Sequence, residues 1–199
     1  MTAGSMTREG YTRPAAWLLL LLPAAATLHA SMYHWPFEDA YISFRYAENL
    51  AAGLGLVYNP GEVVEGFTSF GWVALLAGVK LAGLPVPQTA VALSLLCGLL
   101  LVALSARLTQ QWLGTRSALI AAPPAVLVAS GTWAYYAMSG METTLFALLL
   151  TGSFLMAGRV DRRGAAYAGL LLALASLVRP EGAGYAAVVC AALTLDRQG

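Results

Sequence analysis

The sequence predicts an all-α fold, a polytopic membrane helix bundle of about six or seven hydrophobic helices. Of 199 residues, 59% are apolar and only 11% are charged, and the mean hydropathy is +0.69. A soluble domain carries about 25% charged residues, so the polar surface here is too small to cover a globule in water. The net charge of +1 and the single lysine, Lys80, leave no basic patch that would attract a nucleic acid. We therefore expect the lipid bilayer, and no nucleic acid, as a partner.

Uncharged runs divide the chain into candidate spans. A helix needs about 20 apolar residues to cross the hydrocarbon layer, and the uncharged runs at 14–37, 81–106 and 117–141 reach this length. Three shorter runs follow at 143–158, 164–178 and 182–195, each marginal alone but bounded by charge or by Gly and Pro as in a helical hairpin. The domain division that follows is a cytoplasmic tail (1–13), a first transmembrane helix (14–35), an outer loop (36–67), a transmembrane helix bundle (68–195) and a tail (196–199). The first run also resembles a secretory signal with a cleavage site at Leu28-His29-Ala30, although the later runs favour an uncleaved span.

The distribution of charge predicts the orientation. Arg107 and Arg116 bracket a loop without acids, whereas residues 38–65 hold five acids against one arginine. Basic loops stay in the cytoplasm, so the acidic loop, Glu142 and the turn at 179–182 are expected outside.

One apolar run does not fit a regular alternation of spans. A full crossing at 68–83 would reverse every later loop, so we interpret this run as an interfacial or partly re-entrant helix. A break at Pro123-Pro124 in the following run would restore the alternation in another way.

The first outer loop contains a predicted amphipathic juxtamembrane helix. Residues 38–50 have helical propensity, Asp39 is suited to an N-cap, and Gly53 ends the segment. At helical spacing Asp39, Ser43 and Tyr46 share one face.

Further on, Glu65 stands directly before an apolar helix, where a carboxylate interacts favourably with the helix dipole. Capping for Asp39 and a helix-start charge for Glu65 are the structural alternatives to a role in a site.

Several short motifs carry a resemblance to a known family. The sequence reads Glu-Asp-Ala-Tyr-Ile-Ser-Phe-Arg-Tyr-Ala at 38–47, Gly-Leu-Gly-Leu-Val-Tyr-Asn at 53–59 and Glu-Gly-Phe-Thr-Ser at 65–69. Ser-Gly-Met-Glu-Thr follows at 139–143 and Arg-Pro-Glu-Gly at 179–182. In this order the motifs resemble the GT-C membrane glycosyltransferases. The most similar branch contains mycobacterial terminal β-arabinofuranosyltransferases and proteins named for flagellar motor control.

This resemblance implies a multi-pass protein of the bacterial inner membrane with its active site on the outer face. Such enzymes transfer a sugar from a polyprenyl-phosphate carrier to an outward-facing acceptor, such as a glycan. The family's catalytic aspartate falls on Asp39, whereas Glu38 stands where most relatives have a second aspartate. Relatives are usually much longer, so the chain looks like an N-terminal part.

The expected chemistry gives each candidate residue a role. Asp39 would be the general base that takes the acceptor's proton, and Arg179, or else Arg45, would stabilise the departing phosphate, a task that a divalent cation also performs. From the positions that match the motifs, we expect substrate contacts from Glu38, Arg45, Tyr46, Asn59, Glu65, Glu142, Arg179 and Glu181.

Each candidate residue also has a structural explanation. Arg45 could pair with Glu48 or Glu38, Arg179 could extend to lipid headgroups, and Glu142 and Glu181 could be helix-start charges. The alternative function is that of a non-catalytic membrane assembly protein that retains the GT-C fold and binds a second membrane subunit. A transporter is disfavoured because no ionisable residue falls clearly near the centre of a span.

Overall fold

The computed structural model describes residues 13–33, 36–62, 64–114, 118–159 and 161–196, without the side chains of 13–19 and 193–196. Within these residues the secondary structure is entirely helical, which confirms the predicted all-α class. A short 3₁₀ helix, Ala118–Ala121, directly precedes α5. The α-helices are α1 (Arg13–Ala30), α2 (Glu38–Ala51), α3 (Phe70–Leu81), α4 (Val86–Leu113), α5 (Ala122–Ala129), α6 (Gly131–Met138), α7 (Thr143–Ala157), α8 (Arg162–Val178) and α9 (Glu181–Asp196).

One helix among the described residues is long and apolar enough to cross a membrane by itself. This helix is α4, with 28 residues. The segments Ala118–Ala129 and Gly131–Met138 would form a second span if taken together, with a bend of 64° between them. Helices α3 and α7 are apolar but shorter than a usual span. The predicted number of six or seven spans therefore stays a prediction.

Helix α7 packs between α4 and α8, and α9 packs on α8. Two hydrogen bonds fix the start of α7 against α4: the Ser94 hydroxyl donates to the Met141 carbonyl over 2.8 Å, and the Thr144 hydroxyl donates to the Ser94 carbonyl over 2.8 Å. Helices α4 and α7 consequently run in the same direction, with their first residues near one end of the bundle and their last residues near the other.

Two apolar clusters stabilise the fold. The first joins α2, α3 and the start of α4 through buried residues such as Phe44, Trp72 and Val86. The second joins α1, α4, α5 and α6 around Leu101 and Trp133. With 12 residues, α3 is about 18 Å long, which is too short to cross a hydrocarbon layer of about 30 Å unaided. Helix α3 lies instead along α2.

Two local predictions were wrong. Helix α2 begins at Glu38, and Phe37 is its N-cap without a side-chain hydrogen bond, so Asp39 lies in the first helical turn and does not cap it. The break between α5 and α6 falls at Ser130 and not at the proline pair. Pro123 stands in the first turn of α5, where a backbone N–H would have no acceptor within the helix, so a proline is tolerated. At Ser130 the backbone is extended, and the side chain caps α6 by accepting from the Trp133 N–H.

Candidate active site

Four separate segments line an open cavity of about 410 Å³. These segments are the start of α2, the loop before α3, the turn before α7 and the residue that follows α8. The lining residues are Asp39, Ile42, Ser43, Glu65, Gly66, Phe67, Thr68, Ser69, Met141, Glu142 and Arg179. The cavity therefore depends on tertiary packing between parts of the chain that are far apart in sequence.

Helix α2 places Asp39 and Ser43 side by side. Residues four apart lie on one face of a helix, and both side chains line the cavity. Asp39 is exposed to solvent there. A carboxylate on a fixed helical turn, accessible from the cavity, can accept a proton from a bound molecule.

The side chain of Tyr46 fixes the loop that carries Glu65. Its hydroxyl donates to the Val64 carbonyl over 2.7 Å and accepts from the Gly66 N–H over 2.9 Å. The ring, only 1% exposed, packs against Phe67 with 4.6 Å between centroids. Glu65 consequently reaches the cavity from a loop that is tied to α2.

A second set of hydrogen bonds holds the earlier part of the outer loop. The Asn49 amide donates to the carbonyls of Val57 and Tyr58 over 2.8 and 2.9 Å. The Arg45 Nε donates to the Tyr58 carbonyl over 3.1 Å. The structural alternative for Arg45, an ion pair with Glu48, is not formed, because the Glu48 carboxylate contacts Lys80 at 3.3 Å. Arg45 thus stabilises the loop and lies outside the cavity lining.

The turn at 139–142 is hydrogen-bonded to the start of α2 and to α3. The Phe37 N–H donates to the Ser139 carbonyl over 3.3 Å, and the Trp72 indole N–H donates to the Gly140 carbonyl over 3.2 Å. Gly140 has a φ of +73°, and a Cβ there would lie 3.1 Å from the Phe44 ring. Because both the backbone conformation and the space favour glycine, the turn that presents Glu142 is strongly specified.

Glu142 faces the guanidinium of Arg179. Glu142 is a buried residue, only 7% exposed, and its carboxylate lies 3.7 Å from the Arg179 Nε; the Glu181 carboxylate lies 3.8 Å from the same atom. Glu142 is the N-cap of α7, yet its side chain makes no capping hydrogen bond. The Arg179 guanidinium also lies 5.9 Å from the centre of the Phe146 ring, a cation–π distance. These contacts orient the guanidinium at the edge of the cavity.

The structure brings four of the nine predicted site residues together at the cavity: Asp39, Glu65, Glu142 and Arg179. The other five lie outside the lining. Tyr46 is buried, Arg45 bonds to the loop backbone, Glu38 and Glu181 are exposed, and the Asn59 amide donates to the Glu62 carboxylate over 3.1 Å. Direct contact between these five residues and a substrate stays a prediction.

Some lining residues were not predicted as site residues. Ser43, Thr68 and Ser69 add hydroxyl groups to the cavity. Ser43 could have been predicted from its spacing, because it follows Asp39 by four residues and therefore lies on the same helical face. Thr68 and Ser69 belong to the motif at 65–69. Their place at the cavity depends on the loop's hydrogen bonds to Tyr46, which the sequence alone does not show.

The lining is acidic, with three carboxylates against one guanidinium. In the part of the chain that the structure describes, no three His, Cys, Asp or Glu side chains come close enough to hold a metal ion. The divalent cation considered above therefore has no three-ligand site among these residues. Among the described residues that line the cavity, the cationic side chain that can bind an anion is Arg179.

Comparison with known proteins gives a partial match. In an alignment of 118 residues that covers 56% of this chain, the sequence is 36% identical to the terminal beta-(1->2)-arabinofuranosyltransferase of Mycobacterium tuberculosis (strain ATCC 25618 / H37Rv). This chain resembles a glycosyltransferase. The match spans only 19% of that relative's length. No family model and no solved structure matches the chain.

Proposed function

We propose that this protein is a GT-C type membrane glycosyltransferase, or the N-terminal part of one, in the bacterial inner membrane. It transfers a sugar from a polyprenyl-phosphate donor to a hydroxyl of an acceptor on the outer face. The observation that carries the proposal is the cavity in which Asp39, Glu142 and Arg179 meet. The partial similarity to an arabinofuranosyltransferase supports the same class of reaction.

In this proposal Asp39 is the general base. The acceptor oxygen attacks the anomeric carbon of the sugar, and the bond between that carbon and the phosphate oxygen breaks. The electron pair of the broken bond goes to the phosphate, and the acceptor's proton goes to the Asp39 carboxylate. A base within hydrogen-bond reach contributes about 10²–10⁴-fold to the rate of such a step.

Arg179 would stabilise the departing phosphate. Its planar guanidinium offers donors in a fork that matches phosphate oxygens, and no other cationic side chain lines the described cavity. The buried Glu142 would act as a positioning residue, because its carboxylate restricts where the guanidinium can point.

Glu65 and the hydroxyls of Ser43 and Thr68 would contact sugar hydroxyls. Carboxylates and hydroxyls accept hydrogen bonds from such groups, and all three side chains line the cavity beside Asp39. The polyprenyl tail would lie in lipid along the apolar helices.

The test is a transfer assay with the purified full chain in lipid. Polyprenyl-phosphate-linked pentofuranoses and hexoses serve as donors, and envelope glycans serve as acceptors. We expect Asp39→Asn to lower the rate by about 10²–10⁴-fold. The matched control is Glu48→Gln, which removes a carboxylate from the same helix outside the cavity and should leave the rate unchanged.

Two results would contradict the proposal. Equal product from the wild type and Asp39→Asn would remove Asp39 from the mechanism. Absence of turnover on every donor, together with co-purification of a second membrane subunit, would favour the non-catalytic assembly role.

A further inference from the structure

A second cavity lies at the opposite end of the α4–α7 pair. It has a volume of about 430 Å³ and is lined by Arg107, Gln110, Gln111, Leu155, Met156 and Arg159. Ser94, in the first half of α4, bonds to the turn at the candidate active site. Arg107 lies about 20 Å farther along the same helix. The two cavities are therefore separate sites.

The polar part of this second cavity consists of two guanidinium groups and two amides. Arg107 comes from α4 and Arg159 from the turn after α7, while Gln110 and Gln111 lie about one helical turn beyond Arg107. The lining contains no carboxylate, and no carboxylate in the described ranges pairs with either guanidinium. Two positive charges at one cavity repel each other unless an anion neutralises them.

Helix-end electrostatics explain only one of the two arginines. Arg159 follows the C-terminus of α7, where a cation interacts favourably with the helix dipole. Arg107 lies more than one turn before the last residue of α4, Leu113, and the dipole effect falls off within the last turn. The dipole of α4 therefore does not account for the position of Arg107 beside Arg159.

The surroundings of the cavity are typical of a membrane interface. Trp112, which follows the lining residue Gln111, is 69% exposed, and Leu113 is 57% exposed. Tryptophan is enriched at the depth of lipid headgroups. Leu155 and Met156 give the cavity an apolar side next to its basic side. Basic pockets between membrane helices are suited to anionic lipid headgroups.

We propose that the cavity between the ends of α4 and α7 binds the phosphate of an anionic phospholipid, held by Arg107 and Arg159. Each guanidinium can donate two parallel hydrogen bonds to phosphate oxygens, and the Gln111 amide can donate to the ester or glycerol oxygens. Leu155 and Met156 contact the start of the acyl chains. This inference does not depend on the proposed transferase function.

The test compares phosphatidylglycerol with phosphatidylcholine as the added lipid. The purified full chain in neutral detergent is titrated with each lipid, and bound lipid is counted by native mass spectrometry. We expect Arg107→Gln and Arg159→Gln each to weaken phosphatidylglycerol binding roughly tenfold, because each loses a charge-assisted interaction. Arg159→Lys should have an intermediate effect, since it keeps the charge and loses the fork.

Arg162→Gln and Arg163→Gln are the matched controls. Both remove one positive charge from the neighbouring start of α8, outside the lining, and should change binding less than about twofold. Equal losses from Arg162→Gln and Arg159→Gln would overturn the site, as would equal binding of phosphatidylcholine. Inorganic phosphate that displaces the lipid at equal concentration would contradict a lipid site. If Arg107→Gln fails to fold, Arg159→Gln, in an exposed turn, still decides the question.

Discussion

The contact between Glu142 and Arg179 shows how one residue pair can determine the geometry of the candidate active site. From the sequence alone, each could be a charge at the end of a helix. In the structure the carboxylate makes no capping bond and lies against the guanidinium. Sequence reasoning identified both residues through their motifs, but it could not predict the pairing, because that depends on how α7 and α8 pack.

We expect a measurable coupling energy between these two side chains. In a double-mutant cycle of Glu142→Gln and Arg179→Gln, the coupling should be about 1–2 kcal/mol. This value lies between those of exposed and fully buried pairs, because Glu142 is 7% exposed and the Arg179 side chain is 34% exposed. The measurement is the free energy of unfolding of each variant in detergent.

The matched control uses the other carboxylate near the same guanidinium. Glu181 lies 3.8 Å from the Arg179 Nε with its side chain 60% exposed. We therefore expect the corresponding cycle with Glu181→Gln to give less than about 0.5 kcal/mol. A larger coupling for Glu181 than for Glu142 would show that burial does not control the strength of these pairs.

At the scale of elements, the sequence predicts helices better than loops. Charged residues and glycines mark helix ends, and the bounds of α2, α7 and α8 agree with the predicted runs to within a few residues. The path of residues 52–69 could not be predicted, because hydrogen bonds from Asn49 and Tyr46 to distant backbone atoms determine it. Helical periodicity contains no information on such contacts.

Removing the Tyr46 hydroxyl should loosen the loop that carries Glu65. Tyr46→Phe keeps the buried ring but leaves the Val64 carbonyl and the Gly66 N–H without this partner. We expect a loss of stability of about 1–3 kcal/mol and faster hydrogen exchange at the Gly66 amide. Thermal unfolding and exchange mass spectrometry measure the two effects. Tyr58→Phe, in the same loop and exposed, should change stability by less than about 0.5 kcal/mol.

Two glycines of α9 provide a matched test of helix packing. A Cβ on Gly182 would lie 2.5 Å from the Ser176 backbone nitrogen, whereas a Cβ on Gly184 would meet no atom within 4 Å. Gly182→Ala should therefore destabilise the protein by about 1–3 kcal/mol, because the backbone of α8 cannot move aside freely. Gly184→Ala should stabilise it by about 0.5–1 kcal/mol, since alanine favours the helix. Thermal unfolding of both variants checks the difference, and equal effects would contradict the close approach of α8 and α9.

For the whole molecule, the placement of acidic and basic groups at opposite ends of α4 follows from the charge pattern. The acidic loop 38–65, Glu142 and the turn at 179–182 were predicted on the outer side, and the loop bracketed by Arg107 and Arg116 on the cytoplasmic side. The structure agrees with this separation, because the first cavity lies near the start of α4 and the second near its end. What the sequence could not predict is that each group of charges surrounds a cavity, since the cavities arise from helix packing.

This separation leads to a prediction about topology. Helix α4 is about 42 Å long, enough to cross a hydrocarbon layer of about 30 Å, so its two ends should lie on opposite sides of the membrane. In a background without Cys97 and Cys190, a membrane-impermeant maleimide should label Ala52→Cys in intact cells. It should label Arg163→Cys only after permeabilisation, because basic loops stay in the cytoplasm.

Both positions are exposed, so failure to label reports the membrane barrier and not burial. Labelling of both from the same side would show that α4 does not cross, and labelling of position 52 from the cytoplasm alone would move Asp39 away from an outer-face acceptor.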